Sequence, residues 1–131
     1  MAGMKHRGPI SAVPNTPAVQ RAEPLLPATP RHPAHHRELN KFFKALSDET
    51  RRNILRLLER RSFTVGEIVA NFDLSQPTIS RHLSVLKEAM LVEDQRQGQH
   101  VVYRLADDTL ARSVDRFFSE FEQCQRILRR F

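Results

Sequence analysis

Apolar residues recur at helical spacing from residue 38 onward. Leu39, Phe42, Phe43 and Leu46 follow i, i+3, i+4, i+7 and predict a first helix with one apolar face. Ser47 and Asp48 end it. Asp48 is placed to cap a second helix running to about Arg60, with Ile54, Leu57 and Leu58 inward and Arg51, Arg52 and Arg56 outward, solvated rather than bound to phosphate. Thr64-Val65-Gly66-Glu67 has the spacing of a capping box and predicts a short third helix whose apolar residues are Ile68, Val69 and Phe72. Ser75 caps a fourth helix to about Ala89, with Pro77 in its first turn, where a missing N–H costs little.

Beyond the fourth helix the pattern changes to β-formers. Leu91-Val92-Glu93 and Val101-Val102-Tyr103-Arg104-Leu105 flank a polar stretch, residues 94–100, whose single Gly98 marks the turn of a two-stranded hairpin. Asp107 or Asp108 then caps one last helix on which Leu110, Val114, Phe117, Phe118, Phe121, Cys124 and Leu128 hold a single stripe. That aromatic face exceeds what a small domain needs for its own core. The surplus points to a second copy, with a two-fold interface formed by Leu39, Phe42 and Phe43 of the first helix and Leu110, Val114, Phe117, Phe118 and Phe121 of the last. The fold class is mainly α with a small β-hairpin, in the order of a winged helix-turn-helix.

The first 37 residues are a different polymer. Seven of the eight prolines fall in positions 9 to 33, leaving no room for a helical or strand period, so residues 1–37 read as a disordered, Pro-rich basic arm and residues 38–131 as the folded domain. The net charge of +6 sits mostly in that arm, where five basic residues face Glu23 alone. Charge therefore gives little evidence for a polyanionic partner. The 131 residues include no apolar run of the roughly 18–20 that a membrane span requires. The arm has no secretory or transit pattern, which leads us to expect an untargeted chain. The single cysteine, Cys124, excludes an intramolecular disulfide framework and a Cys-rich metal site, and fits a reducing cytoplasm.

The fourth helix carries the chemistry. Ile79, Leu83 and Leu86 share an inward face, leaving Arg81 and Ser84 opposite and Thr78 and Ser80 at the flanks, with no acid between Leu74 and Lys87. Ser75, Gln76 and Thr78 lie at the helix N-terminus, where backbone N–H groups can meet a phosphate, and Arg81 can pair bidentately with guanine O6 and N7. His82 lies at the buried boundary and stays open between an internal hydrogen bond and the groove. Arg96, Gln97, Gln99 and His100 at the hairpin tip suit phosphate or minor-groove contact.

Three stretches, Ala45-Leu46-Ser47-Asp48-Glu49-Thr50-Arg51-Arg52, Leu74 to Leu83 with Ser75-Gln76-Pro77-Thr78-Ile79-Ser80-Arg81-His82, and Arg96 to Leu105, resemble the ArsR/SmtB family of bacterial repressors. The resemblance covers about residues 38–122. It implies a homodimeric winged-helix repressor that binds double-stranded operator DNA and releases it when a signal binds; the inducer is unknown. Metal sensors of that family carry cysteines on the third helix where this chain has Thr64 and Gly66. A second family site, of Asp-x-His and His-x-x-Glu form, reads here as Asp107, Thr109, Glu120 and Gln123. Neither set suits a metal, and no metal or cofactor is expected.

Several other features carry weaker readings. His32, His35 and His36 have chelating spacing, but Pro33 interrupts it. Cys124 reads as a buried packing thiol, with an intersubunit redox switch as the sharper alternative. Met90 stands where the family usually has glycine, so a left-handed turn there carries a penalty. Ser80, His82 and the scattered acids form no nucleophile, base and orienter set, which excludes catalysis. The competing function is a winged-helix protein-interaction module with only weak non-specific DNA binding.

Overall fold

Pro33 opens the first helix. The computed structural model describes residue 25 and residues 33–131, with side chains from residue 36 onward. Helix α1 spans Pro33–Leu46, so residues 33–37, expected in the arm, are helical. A proline is no obstacle in the first turn, because the N–H it lacks would have no intrahelical partner. The rest of the expected arm, with His32 and the side chain of His35, lies outside the described residues.

Helix α2, Glu49–Leu58, is capped by Asp48, whose carboxylate accepts the Arg51 N–H at 3.1 Å. Its inward side chains are Ile54, Leu55 and Leu58, with Leu57 only half-buried. Strand β1 is the pair Phe63–Thr64 and leads directly into helix α3, Val65–Val69. The expected capping box is complete: the Glu67 N–H donates to Thr64 Oγ1 at 3.1 Å and the Thr64 N–H donates to Glu67 Oε1 at 2.8 Å. Helix α4 is Gln76–Glu88, capped by Ser75.

The sheet is larger than the expected ribbon. Strands β2, Val92–Gln97, and β3, His100–Leu105, extend through most of the stretch expected as loop, and β1 joins them to give the antiparallel order β1-β3-β2. Phe63 pairs with Tyr103, and the hairpin closes on Gln97 opposite His100. Gly98, at φ +64°, occupies the first of two turn positions, and Gln99 keeps a negative φ, the pattern of a type II′ turn.

The last helix is two helices. α5, Asp107–Phe118, follows Ala106, which caps it without a side-chain hydrogen bond, so Asp107 and Asp108 lie inside the first turn rather than at the cap. The chain leaves the helix at Ser119, and Phe121, in extended conformation, starts α6, Glu122–Leu128. The ring of Phe121 turns back on Phe117 at 5.1 Å, an aromatic contact that accompanies the break in the stripe.

Phe42 and Ala45 of α1, Ile54 of α2, Ile68 of α3 and Ile79, Leu83 and Leu86 of α4 pack with Leu91 and Val92 into one core. Each such apolar side chain contributes about 1.5–3 kcal/mol on burial, an upper bound because unfolded chains are partly collapsed. The three buried residues of α4 fix its rotation, which decides what it shows to solvent.

Candidate nucleic-acid interface

With Ile79, Leu83 and Leu86 held inside, the outward surface of α4 presents Gln76, Arg81 and Ser84, with Thr78 and Ser80 half-buried at its edges. Arg81 is exposed and pairs with no acid among the described residues, so its guanidinium is free for an external acceptor. Ser75 and Thr78 are partly committed to the helix start. Ser75 Oγ accepts the Thr78 N–H at 3.4 Å and lies 2.9 Å from Thr78 Oγ1. Ser84 Oγ donates to the Ser80 carbonyl at 3.0 Å, leaving the serine oxygen's lone pairs outward.

His82 does not share this surface. Its side chain is 18% exposed and turns back toward the start of α2, where Arg51 Nη1 lies 3.1 Å from His82 Nδ1. A guanidinium has no acceptor, so Nδ1 must be the unprotonated nitrogen in that bond. Asp48 stands 3.8 Å from the same nitrogen, too far for a hydrogen bond. In this geometry His82 makes an internal contact with Arg51.

Arg51 and Arg52 differ from their expected solvation. Arg51 Nε donates to the Ala45 carbonyl and Nη2 to the Lys44 carbonyl, both at 2.9 Å, and Arg52 Nη1 donates to the Leu46 carbonyl at 2.6 Å. The two side chains satisfy the open carbonyls at the end of α1, a need that every helix C-terminus has and that apolar periodicity does not register. Partial burial works against the ionised form of Asp48, but the Arg51 N–H, the nearby His82 and Arg51 side chains and the Thr50 N–H outweigh it and hold the carboxyl below its ordinary range.

The wing is tied to the same helix. Lys87 Nζ donates to Asp94 Oδ2 at 2.9 Å, joining the last turn of α4 to β2, and this bond and the carboxylate's charge hold the lysine above its ordinary pKa. Neither residue was singled out by sequence reasoning. Their signal was the acid pair Glu93-Asp94 at the start of an otherwise basic wing. Arg104 pairs with Glu93 across the strands. Arg96, Gln97, Gln99 and His100 remain exposed around Gly98, and Arg96 has no acidic partner among the described residues. Free cations therefore stand on both the exposed surface of α4 and the wing tip.

The aromatic seam is also divided. Phe42 and Leu39, expected at an interface between copies, are buried within their own chain at 2% and 7% exposure, and Leu110 and Val114 pack against the same core. An amphipathic stripe does not reveal whether its cover is internal. Phe43 stacks edge-on against Phe117 at 4.7 Å, and Phe43 and Phe121 stay more than a third exposed, with Phe117 and Phe118 half-buried beside them. Ile127 and Leu128 of α6 are more exposed still, and Cys124 is half-buried rather than buried. Among the described residues no three His, Cys, Asp or Glu side chains are grouped to hold a metal ion, and no helix is long and apolar enough to cross a membrane.

A helix-turn-helix followed by a hairpin wing, with its outward helix surface free of acids, is the arrangement found in known regulators. The family model described as "Bacterial regulatory protein, arsR family" matches residues 48–94, from the cap of α2 into β2. The chain is 44% identical over 77 residues to the transcriptional repressor SdpR of Bacillus subtilis (strain 168), covering 59% of this chain and 86% of that one. The chain belongs to the arsR family of bacterial regulatory proteins. It is similar as well to the biofilm growth-associated repressor of Agrobacterium fabrum, 36% identical with 61% and 68% of the two chains covered. Among solved structures, an ArsR-like transcriptional regulator from Rhodococcus sp. RHA1 superposes with a TM-score of 0.61 at 30% identity, covering 74% of this chain and 94% of that one. The transcriptional repressor BigR from Xylella fastidiosa gives 0.52 at 31% identity, with 67% and 90% covered. This ArsR-family chain is a winged helix-turn-helix transcriptional regulator and not an enzyme.

Proposed function

We propose that the protein is a cytoplasmic, homodimeric repressor that binds an inverted-repeat operator in double-stranded DNA. The observation that carries this reading is the exposed surface of α4, where Gln76 and an unpaired Arg81 stand with no acid between Leu74 and Lys87. Seated in the major groove, that surface offers Arg81 to guanine O6 and N7, and Gln76, Thr78, Ser80 and Ser84 to neighbouring bases or phosphates. The N-terminal N–H groups around Ser75 favour a phosphate. The wing tip, Arg96, Gln97, Gln99 and His100, falls on the flanking backbone or minor groove, where it adds affinity more than sequence preference.

Two-fold pairing supports the operator's symmetry. Phe43, Phe117, Phe118 and Phe121 form the apolar surface that a second copy covers, placing two recognition helices about 34 Å apart, one helical turn of DNA. Cys124, half-buried on α6, is a packing thiol in this reading and no metal or cofactor takes part.

The test is fluorescence-anisotropy binding to DNA from upstream of the protein's own gene, competed by scrambled DNA, at about 150 mM salt where non-specific attraction is weak. A preference of roughly a thousandfold, lost in Arg81→Ala, is expected. Equal, salt-sensitive binding to both DNAs, unchanged by Arg81→Ala, would favour the protein-interaction reading instead.

A further inference from the structure

Behind the recognition helix, α1, the C-terminal turn of α4 and one side of α5 enclose a cleft of about 390 Å³. Its volume lies within the roughly 300–1,000 Å³ of small-molecule sites. We propose that this cleft is an effector site for a small organic monocarboxylate with an apolar body, read by the turn that ends α4; the regulatory half of this proposal rests on the DNA-binding reading above.

The charge balance selects a monoanion. Glu38 and Arg116 neutralise each other across the cleft in an ion pair of 3.0 Å. The remaining charged side chains are Lys41, Arg112 and Glu88, none paired among the described residues, so one positive charge is left over. A phosphate ester near pH 7 carries more negative charge than this lining offsets. Thr109, Arg112 and Ser113 follow i, i+3, i+4 along α5, which brings a guanidinium fork and two hydroxyls onto one face. A carboxylate matches the fork bidentately. No histidine or cysteine lines the cleft, so it suits no soft or borderline metal.

The apolar half of the cleft accounts for the ligand's body and for coupling. Leu39 and Ala89 line the cleft as buried apolar side chains, and Met90, two-thirds exposed, adds a flexible, polarizable one to the same lining. Glu88 and Ala89 end α4 and Met90 holds the left-handed turn after it, while Leu91 and Val92 continue into the wing. A ligand seated here therefore touches the junction between the two DNA-facing elements.

Isothermal calorimetry of the full chain with 2-naphthoate tests the site without DNA. One molecule per chain is expected to bind with Kd below about 1 mM, and 2-naphthol, which keeps the rings and lacks the carboxylate, at least about tenfold more weakly. Arg112→Gln, exposed and unpaired, is expected to keep the wild-type melting temperature and to lose naphthoate affinity about tenfold or more. Absence of saturable heat to about 10 mM, or equal affinity for naphthol or in Arg112→Gln, overturns the site. In the anisotropy assay 2-naphthoate is expected to weaken operator binding at least about fivefold in wild type and not in Arg112→Gln. Naphthoate binding with unchanged operator affinity overturns the effector role. Failure of the unliganded protein to prefer its operator refutes the repressor reading instead, and calorimetry still decides the ligand site.

Discussion

Arg51 on α2 donates through Nη1 to Nδ1 of His82 on α4 at 3.1 Å, while its other nitrogens hold the Lys44 and Ala45 carbonyls at the end of α1. One guanidinium thereby joins three helices, and the planar fork is what allows it.

Arg51→Ala removes all three bonds and leaves the part-buried Ala45 carbonyl and His82 Nδ1 without this donor, while the Lys44 carbonyl keeps the Ser47 hydroxyl at 2.7 Å. A loss of about 2 kcal/mol is expected, lowering the melting temperature by roughly 8–16 °C for a domain of this size. Arg51→Lys recovers little, because an ammonium does not reproduce the fork. His82→Ala is expected to lower the melting temperature while leaving the salt dependence of DNA binding unchanged. A salt slope reduced by about one unit would instead place His82 on a phosphate.

Met90 is the described non-glycine residue with positive φ, at 61°. It occupies the position after the α4 cap in a Schellman arrangement: its N–H donates to the Lys87 carbonyl at 2.9 Å and the Leu91 N–H to the Leu86 carbonyl at 3.0 Å. Leu86 and Leu91, fully buried, supply the accompanying apolar contact. The hydrogen bonds require the left-handed backbone and the Cβ opposes it. Met90→Gly is expected to stabilise the domain by about 1 kcal/mol, raising the melting temperature by roughly 4–8 °C; an unchanged or lower value by calorimetric scan refutes the strain.

How much of this could be read from the sequence depended on the range of each interaction. Helices α2 to α4 and their N-caps were legible, because Asp48, Thr64-Glu67 and Ser75 act on backbone groups three residues away, whereas α1 was legible only from residue 38 onward. The two-residue β1 was not, since it is too short to show alternation and exists only by pairing with β3. The break after α5 was hidden because Phe117, Phe121 and Cys124 keep helical spacing across it. On α4 the outward positions of Arg81 and Ser84 followed from periodicity. The inward turn of His82 depended on an arginine 31 residues away, which no local pattern contains.

Asp48 gives the stability a defined acid limit. Its carboxyl is held below the ordinary range despite partial burial, by the Arg51 N–H and by the neighbouring His82 and Arg51 side chains. A carboxyl with a depressed native pKa contributes stability above its unfolded value, about 3.9, and loses it as pH falls through the lower native value. Glu67, held low chiefly by the Thr64 N–H, acts in the same direction. The wild-type melting temperature is expected to fall from about pH 5 downward, and that of Asp48→Asn, which keeps a capping oxygen, to fall less steeply. Parallel curves would remove Asp48 from the acid response.

Neighbouring aromatic residues separate folding from assembly. Phe42 is buried at 2% exposure and touches Phe43 at 5.3 Å, whereas Phe43 remains 40% exposed and leads through Phe117 to Phe121. Phe42→Ala empties space in the core and is expected to cost about 3–5 kcal/mol by thermal or urea unfolding, whatever the oligomeric state. Phe121→Asp removes little internal packing but places a charge on the surface assigned to the second copy. Sedimentation is expected to show it as a folded monomer at concentrations where the wild type is a dimer, with operator affinity lost because two half-sites can no longer be held together. A dimeric Phe121→Asp would move the interface away from the Phe43, Phe117 and Phe121 surface, and the exposed Ile127 and Leu128 of α6 would then be the apolar residues to test.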